Sequence, residues 1–149
     1  MLIPILSKPV ICASASILAG AIPSTLVNIN DPWYKSLLKP DWNPSPVVFP
    51  VVWTFLNALI GISACIGIQS SESLISFCIN RIAAFSWTPL FFKYKSIKNA
   101  SILLQFLILS TIHMMFVFSD SLSVYLLFPY LLWLCVACRL NMVIDDLNP

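Results

Sequence analysis

Five continuous apolar runs, at about 4–27, 47–68, 73–92, 100–118 and 122–143, constrain this chain more than any other feature. Each is long enough to cross a hydrocarbon core, which takes about 20 residues as a helix. Segments such as Leu103–Ile112 and Val124–Ala137 run on without the strict alternation of a membrane β-strand. Five helices use about 100 residues and leave about 50 for four loops and two ends, so a sixth span fits poorly. Composition agrees: 59% of residues are hydrophobic and 9% charged, with a mean hydropathy of +0.91. A soluble domain carries about 25% charged residues. The formal net charge of +2 offers no basic field for a polyanion, so nucleic acid is excluded as a partner. The expected fold is an all-α membrane protein in one domain, 1–149, with membrane lipid as its surroundings.

The first run lacks a basic region before its apolar core, and Lys8 lies inside it, so it reads as a retained helix rather than a cleaved signal. Its small residues, Cys12, Ser16 and Gly20 with Ala15 and Ala19, permit close helix approach, either within the bundle or between the subunits of a homodimer. Lysines set the expected orientation. Lys35 and Lys39 follow the first run and Lys93, Lys95 and Lys98 the third, whereas the opposite side holds Lys8. The positive-inside rule then puts loops one and three and the C-terminus in the cytosol.

Reactive groups are sparse. All five cysteines fall within the runs and read as small buried hydrophobes. Cys135 and Cys138 would share a helix face, but without a second pair they do not make a zinc site. His113 stands alone among Ile112, Met114 and Met115, and reads as a packed or lipid-facing residue. No metal site or catalytic residue is expected, since Ser–His, Cys–His and paired-carboxylate arrangements are all missing. Asn99-Ala-Ser101 fits a glycosylation acceptor but lies on the lysine-rich side.

The loop Asp31–Pro50 is different. It holds five prolines, Trp33, Tyr34 and Trp42, so it should keep one shape rather than act as a tether. A short helix is expected at about Trp33–Leu38, with Trp33 and Leu37 on one face and Lys35 and Lys39 toward headgroups. Trp33-Tyr34-x-x-Leu37-x-Lys39-Pro40-x-Trp42-x-Pro44, then Phe49-Pro50-x-x-Trp53, resembles the signature of the translocator protein family (TspO, or peripheral-type benzodiazepine receptor). Trp87-x-Pro89-x-Phe91-Phe92 and Pro129-Tyr130-x-x-Trp133-x-x-x-Ala137-x-x-Leu140-Asn141 resemble the ends of that family's third and fifth spans.

The resemblance implies a five-transmembrane-helix bundle whose ligand cavity is capped by the loop between helices 1 and 2. It implies that no cofactor is required and that the ligands are tetrapyrroles (porphyrin or haem), sterol-like molecules and benzodiazepine-type compounds. Carried onto this chain, the ligand-binding residues are Trp33, Tyr34, Pro44, Trp53, Phe91, Trp133, Ala137 and Leu140. Transport or sensing is the implied role. Light-dependent porphyrin degradation through pocket tryptophans is the alternative, and a scaffold with a vestigial cavity is a further one. A mitochondrial outer membrane or endomembrane location is implied for a eukaryotic member. The chain departs from the pattern at Ala84, where the family usually has Asn, and at Asn57, where it commonly has Tyr. The segment after Leu140 lacks the Tyr and Arg of the animal sterol motif.

Arg81 and Arg139 fall within spans, where a charge requires a reason. Either is a candidate partner for a porphyrin propionate, although Arg139 is near enough to the span's end to snorkel.

Overall fold

A computed structural model describes residues 3–149, with side chains described from Lys8 onward; the described residues form helices and no strands. The elements are α1 (Ile3–Ser24), α2 (Pro32–Ser36), α3 (Val48–Gly67), α4 (Ser71–Thr88), α5 (Ile97–Val117) and α6 (Ser121–Leu147). A π-helical turn, Pro89–Lys93, extends α4. Among the described residues, four helices are long and apolar enough to span a membrane: α3, α4 with its π turn, α5 and α6. α1 is a further helix of 22 residues. The expected runs match these helices to within a few residues, except at the end of α6. That helix continues to Leu147 because Asn141 and Ile144 face inward and are buried.

Local chemistry sets the helix ends. Ser70 and Ser73 close a reciprocal capping box at the start of α4, and the Asp120 carboxylate accepts from the Ser123 N–H at 3.0 Å to start α6. Pro89 has no N–H to continue an α-helical ladder. The chain widens there, and the Tyr94 N–H donates to the Pro89 carbonyl at 3.0 Å. Lys95 then takes a left-handed φ of 54°, which turns the chain into α5.

The molecule is apolar outside as well as inside. Leu18, Phe116 and Leu132 are largely exposed, as expected of surfaces in lipid. Between the helices, Leu56, Ile60, Leu107, Leu127, Tyr130 and Leu134 form a buried core. α1 lies against α3 so closely that a Cβ on Gly61 would stand 2.4 Å from the Cys12 carbonyl oxygen and 2.8 Å from the Ser16 Cβ. One on Gly20 would strike the Asn57 amide. Cys12, Ser16 and Gly20 of α1 therefore serve contact within the bundle, whereas Ala15 is exposed.

One end of the bundle gathers the α1–α3 loop, the α4–α5 turn and the end of α6. Asp31 caps α2 by accepting from the Trp33 N–H at 2.8 Å, and it pairs with Lys95 at 3.3 Å. These two donors, the Trp33 N–H foremost, hold its carboxyl below the usual carboxylate range. The Asn148 amide holds both backbone groups of Leu38, each at 2.9 Å. Leu37 lies just beyond α2 and is buried beside Trp33, Phe91, Leu140 and Ile144. Lys39 is not directed at headgroups as expected. It folds back to donate to the Tyr34 carbonyl at 2.6 Å and lies 4.3 Å from that ring's centre, which keeps the loop compact. Burial lowers the Lys39 pKa and raises that of the Tyr34 hydroxyl.

Candidate functional site

A chamber of about 480 Å³ lies under this loop, between α1, α3, α4, α5 and α6. Specific small-molecule sites usually fall within about 300–1,000 Å³. Aromatic rings supply much of its wall: Tyr34, Phe49, Trp53, Phe85, Trp87, Phe91 and Phe92. The π turn contributes two neighbours at once, because its greater number of residues per turn brings Phe91 and Phe92 closer in direction, and both line the chamber. Phe91 stacks on Trp87 at 5.2 Å and 20°, and Phe92 meets Phe91 edge-on at 5.0 Å. Such pairs fix ring orientation and each contributes about 0.5–1.5 kcal/mol beyond area burial.

The residues singled out in the sequence are placed as follows. Tyr34, Trp53, Phe91, Ala137 and Leu140 line the chamber, as does Arg81. Trp33 stands behind it, edge-on to Phe91 at 5.6 Å, and Trp133 does the same against Phe49 at 5.9 Å. Pro44 is half-buried beside the lining residue Asn43. Both positions that depart from the family pattern, Asn57 and Ala84, are in the lining. Arg139 is exposed on the outside of α6, away from the chamber. His113 is exposed too, in a groove between α4 and α5, where its Nδ1 lies 3.0 Å from the Ser76 hydroxyl. The two thiols of α6 do not share an environment: Cys135 is exposed, while Cys138 is buried. Among the described residues, no group of three or more His, Cys, Asp and Glu side chains could hold a metal.

Arg81 is the distinctive group of the lining. It is 7% exposed, and its Nη2 donates to Asn80 Oδ1 at 2.6 Å. Its guanidinium carbon lies 4.9 Å from the centre of the Tyr130 ring and 6.0 Å from that of Phe85. Asn80 is fully buried and acts as a hub. Its Nδ2 donates to Ser110 Oγ at 2.8 Å and Thr111 Oγ1 at 3.0 Å, and its Oδ1 also accepts from the Tyr130 hydroxyl at 3.3 Å. Asn80, Leu104 and Leu107 were not singled out in the sequence. Asn80 carried a signal: an amide beside an arginine inside an apolar run, with Ser110 and Thr111 at a similar depth in the next.

Placing an arginine at mid-span costs about 2.5–3.5 kcal/mol on insertion scales. A desolvated cation–π contact of about 2 kcal/mol and a charge-assisted hydrogen bond of about 1.5–3 kcal/mol offset this. The side chain is thus accommodated, but its formal charge is not cancelled. The ion pair found among the described residues, Lys95–Asp31, is far off in the loop region. Arg81 Nε and the indole N–H groups of Trp87 and Trp133 are buried without an acceptor. The chamber is therefore largely apolar and aromatic, with a positive charge in its wall.

The sequence profile of the TspO/MBR family matches residues 10–147. Protein CrtK of Rhodobacter capsulatus is 36% identical over 126 residues, covering 78% of this chain and 79% of that protein. A tryptophan-rich sensory protein of Cereibacter sphaeroides is 32% identical over 123 residues, 79% of this chain and 78% of the relative. The membrane protein YtaB of Bacillus subtilis is 32% identical over 136 residues, 83% and 84% of the two chains.

Proposed function

The chain belongs to the TspO/MBR family, and from that premise we propose that it is a membrane-embedded binding protein whose chamber takes flat lipophilic ligands of the tetrapyrrole class, for transport or sensing. The observation that carries this reading is the convergence of Trp53, Trp87, Phe91 and Phe92 on one hollow of about 480 Å³. Flat conjugated rings bury well against indole and phenyl faces. Neutral drug-like ligands and sterols are secondary in this reading, because Asn57 and Ala84 change the polar contacts of the wall.

In the same reading α1 crosses the bilayer with the other four long helices, and the loop between α1 and α3 caps the chamber. Tyr34, Asn43 and Pro46 of that loop are part of the lining, which supports the cap. The loop end carries Lys35, Lys39, Lys93, Lys95 and Lys98, which supports a cytosolic placement of that end and of the C-terminus.

The test is a dark titration of detergent-purified protein with protoporphyrin IX, followed by tryptophan fluorescence and then by illumination. Saturable quenching with no product is the expected result. A product that forms in light and is lost in Trp53→Phe would shift the assignment to photochemical degradation. Absence of saturable quenching would reject the tetrapyrrole reading.

A further inference from the structure

Arginine keeps its charge under all ordinary conditions, so Arg81 places a permanent cation in the chamber wall. No carboxylate lies within ion-pair reach of it among the described residues. We propose that Arg81 makes the chamber selective for ligands that carry a carboxylate, the acid pairing with the guanidinium while the flat apolar body lies against the aromatic wall. The inference deepens the binding reading above and rests on it.

Two observations beyond the charge support it. First, the fork is only partly used: Nη2 has its acceptor in Asn80, whereas Nε is buried with none. The Trp87 indole N–H, in the same lining, is likewise without an acceptor. Both atoms are closed off from the open space, so they mark unspent hydrogen-bonding capacity in the wall, and a ligand acid meets the guanidinium on the side where Arg81 lines the chamber. Second, the guanidinium is pre-oriented. Asn80 is pinned by Ser110, Thr111 and Tyr130, and the Tyr130 ring faces the guanidinium. A ligand acid therefore meets a cation that need not be reorganised, and pre-organisation favours binding. An alcohol or ketone could accept from the same donors but would leave the charge uncancelled.

The test uses 1-pyrenebutyric acid and 1-pyrenebutanol, which share a flat ring and a chain and differ in the head group. With the purified full chain, the acid is expected to bind roughly 10–100-fold more tightly than the alcohol, the equivalent of one charge-assisted hydrogen bond. The ratio should fall to near one in Arg81→Gln and largely persist in Arg81→Lys. Asn80→Asp, which supplies an internal carboxylate, is a second route to the same loss should Arg81→Gln not fold. Equal affinities in the wild type, or no saturable binding of either compound, would overturn the proposal. So would a preference present in gluconate buffer but abolished by chloride, which would assign the guanidinium to an inorganic anion. Protoporphyrin IX, which keeps its two free acids, reports on the tetrapyrrole reading in the same assay. Its failure to bind, with the pyrene preference intact, would reject that reading and leave the charge selectivity standing.

Discussion

Asn80→Asp is the most informative single substitution, because it changes the charge beside Arg81 while leaving the shape of the wall almost unaltered. The Asn80 oxygen already accepts from Arg81 Nη2 at 2.6 Å, so a carboxylate would form the ion pair without rearrangement. At a charge separation of about 4 Å and an effective dielectric of about 20, the attraction is about 4 kcal/mol. Desolvating the new carboxylate costs several kcal/mol in return. The second oxygen would face Ser110 and Thr111, whose hydroxyls now donate to the Leu107 carbonyl and could turn to meet it. The two large terms nearly cancel, and stability should change by no more than about 2 kcal/mol. Ligand choice should change in a way that stability does not report. A ligand acid would now meet a neutral pair, losing about 1.5–3 kcal/mol, or roughly 10–100-fold in affinity. Binding of the pyrene alcohol should be unaltered. Paired fluorescence titrations of acid and alcohol, with thermal unfolding of the same samples, provide the assay. A folded Asn80→Asp protein that still binds the alcohol and retains the wild-type preference for the acid would refute the reasoning. Asn80→Ala is the control. It leaves Arg81 Nη2 and the Tyr130 hydroxyl without their acceptor and should destabilise the protein by about 1–3 kcal/mol, read as a lower Tm.

Gly61→Ala should cost about 1–3 kcal/mol by overpacking, since its methyl group would meet backbone atoms of α1, and thermal unfolding in detergent measures the loss. Asn141→Leu should cost about 1 kcal/mol, because the amide joins α6 to the Ile97 carbonyl at 3.0 Å and Ser101 Oγ at 2.8 Å, and interhelical bonds in membranes average about 0.6 kcal/mol. The Asp31 pKa is lower in the folded loop than in the unfolded chain, so its stabilisation is complete above the unfolded value of about 3.9 and is lost as pH falls through the folded value. The protection factor of the Trp33 amide in hydrogen exchange should therefore fall in acid below about pH 4, and in Asp31→Ala it should be low at every pH.

The helices were legible in the sequence because lipid imposes a length and a composition on anything that crosses it. Both features survive without knowledge of the neighbours. The breaks between the runs were legible as well, and the capping residues Ser70 and Asp120 lie within two of them. What the sequence hid were the relations between helices. Trp133 and Trp53 read alike as aromatic residues in apolar runs, yet one lines the chamber and the other stands behind Phe49. Arg81 and Arg139 both read as charges inside apolar runs, with Arg139 near enough to its run's end to snorkel, and the rotation of α4 and α6 about their axes turns Arg81 inward and Arg139 outward. Lys39 was misjudged for a related reason. A long amine near an interface is ordinarily drawn to headgroups, but two loop carbonyls within reach captured it.

The grip of Asn148 on Leu38 has a kinetic consequence. α6 contributes Ala137, Leu140, Asn141 and Ile144 to the chamber wall and, one turn beyond Ile144, carries the amide that clasps the loop. Wall and clasp thus lie at the same end of α6, with Asn148 one residue beyond its last turn. In the binding reading proposed above, a ligand leaving past the loop would have to open it against this clasp, so Asn148→Ala is expected to shorten residence time, read as a faster off-rate of the pyrene acid.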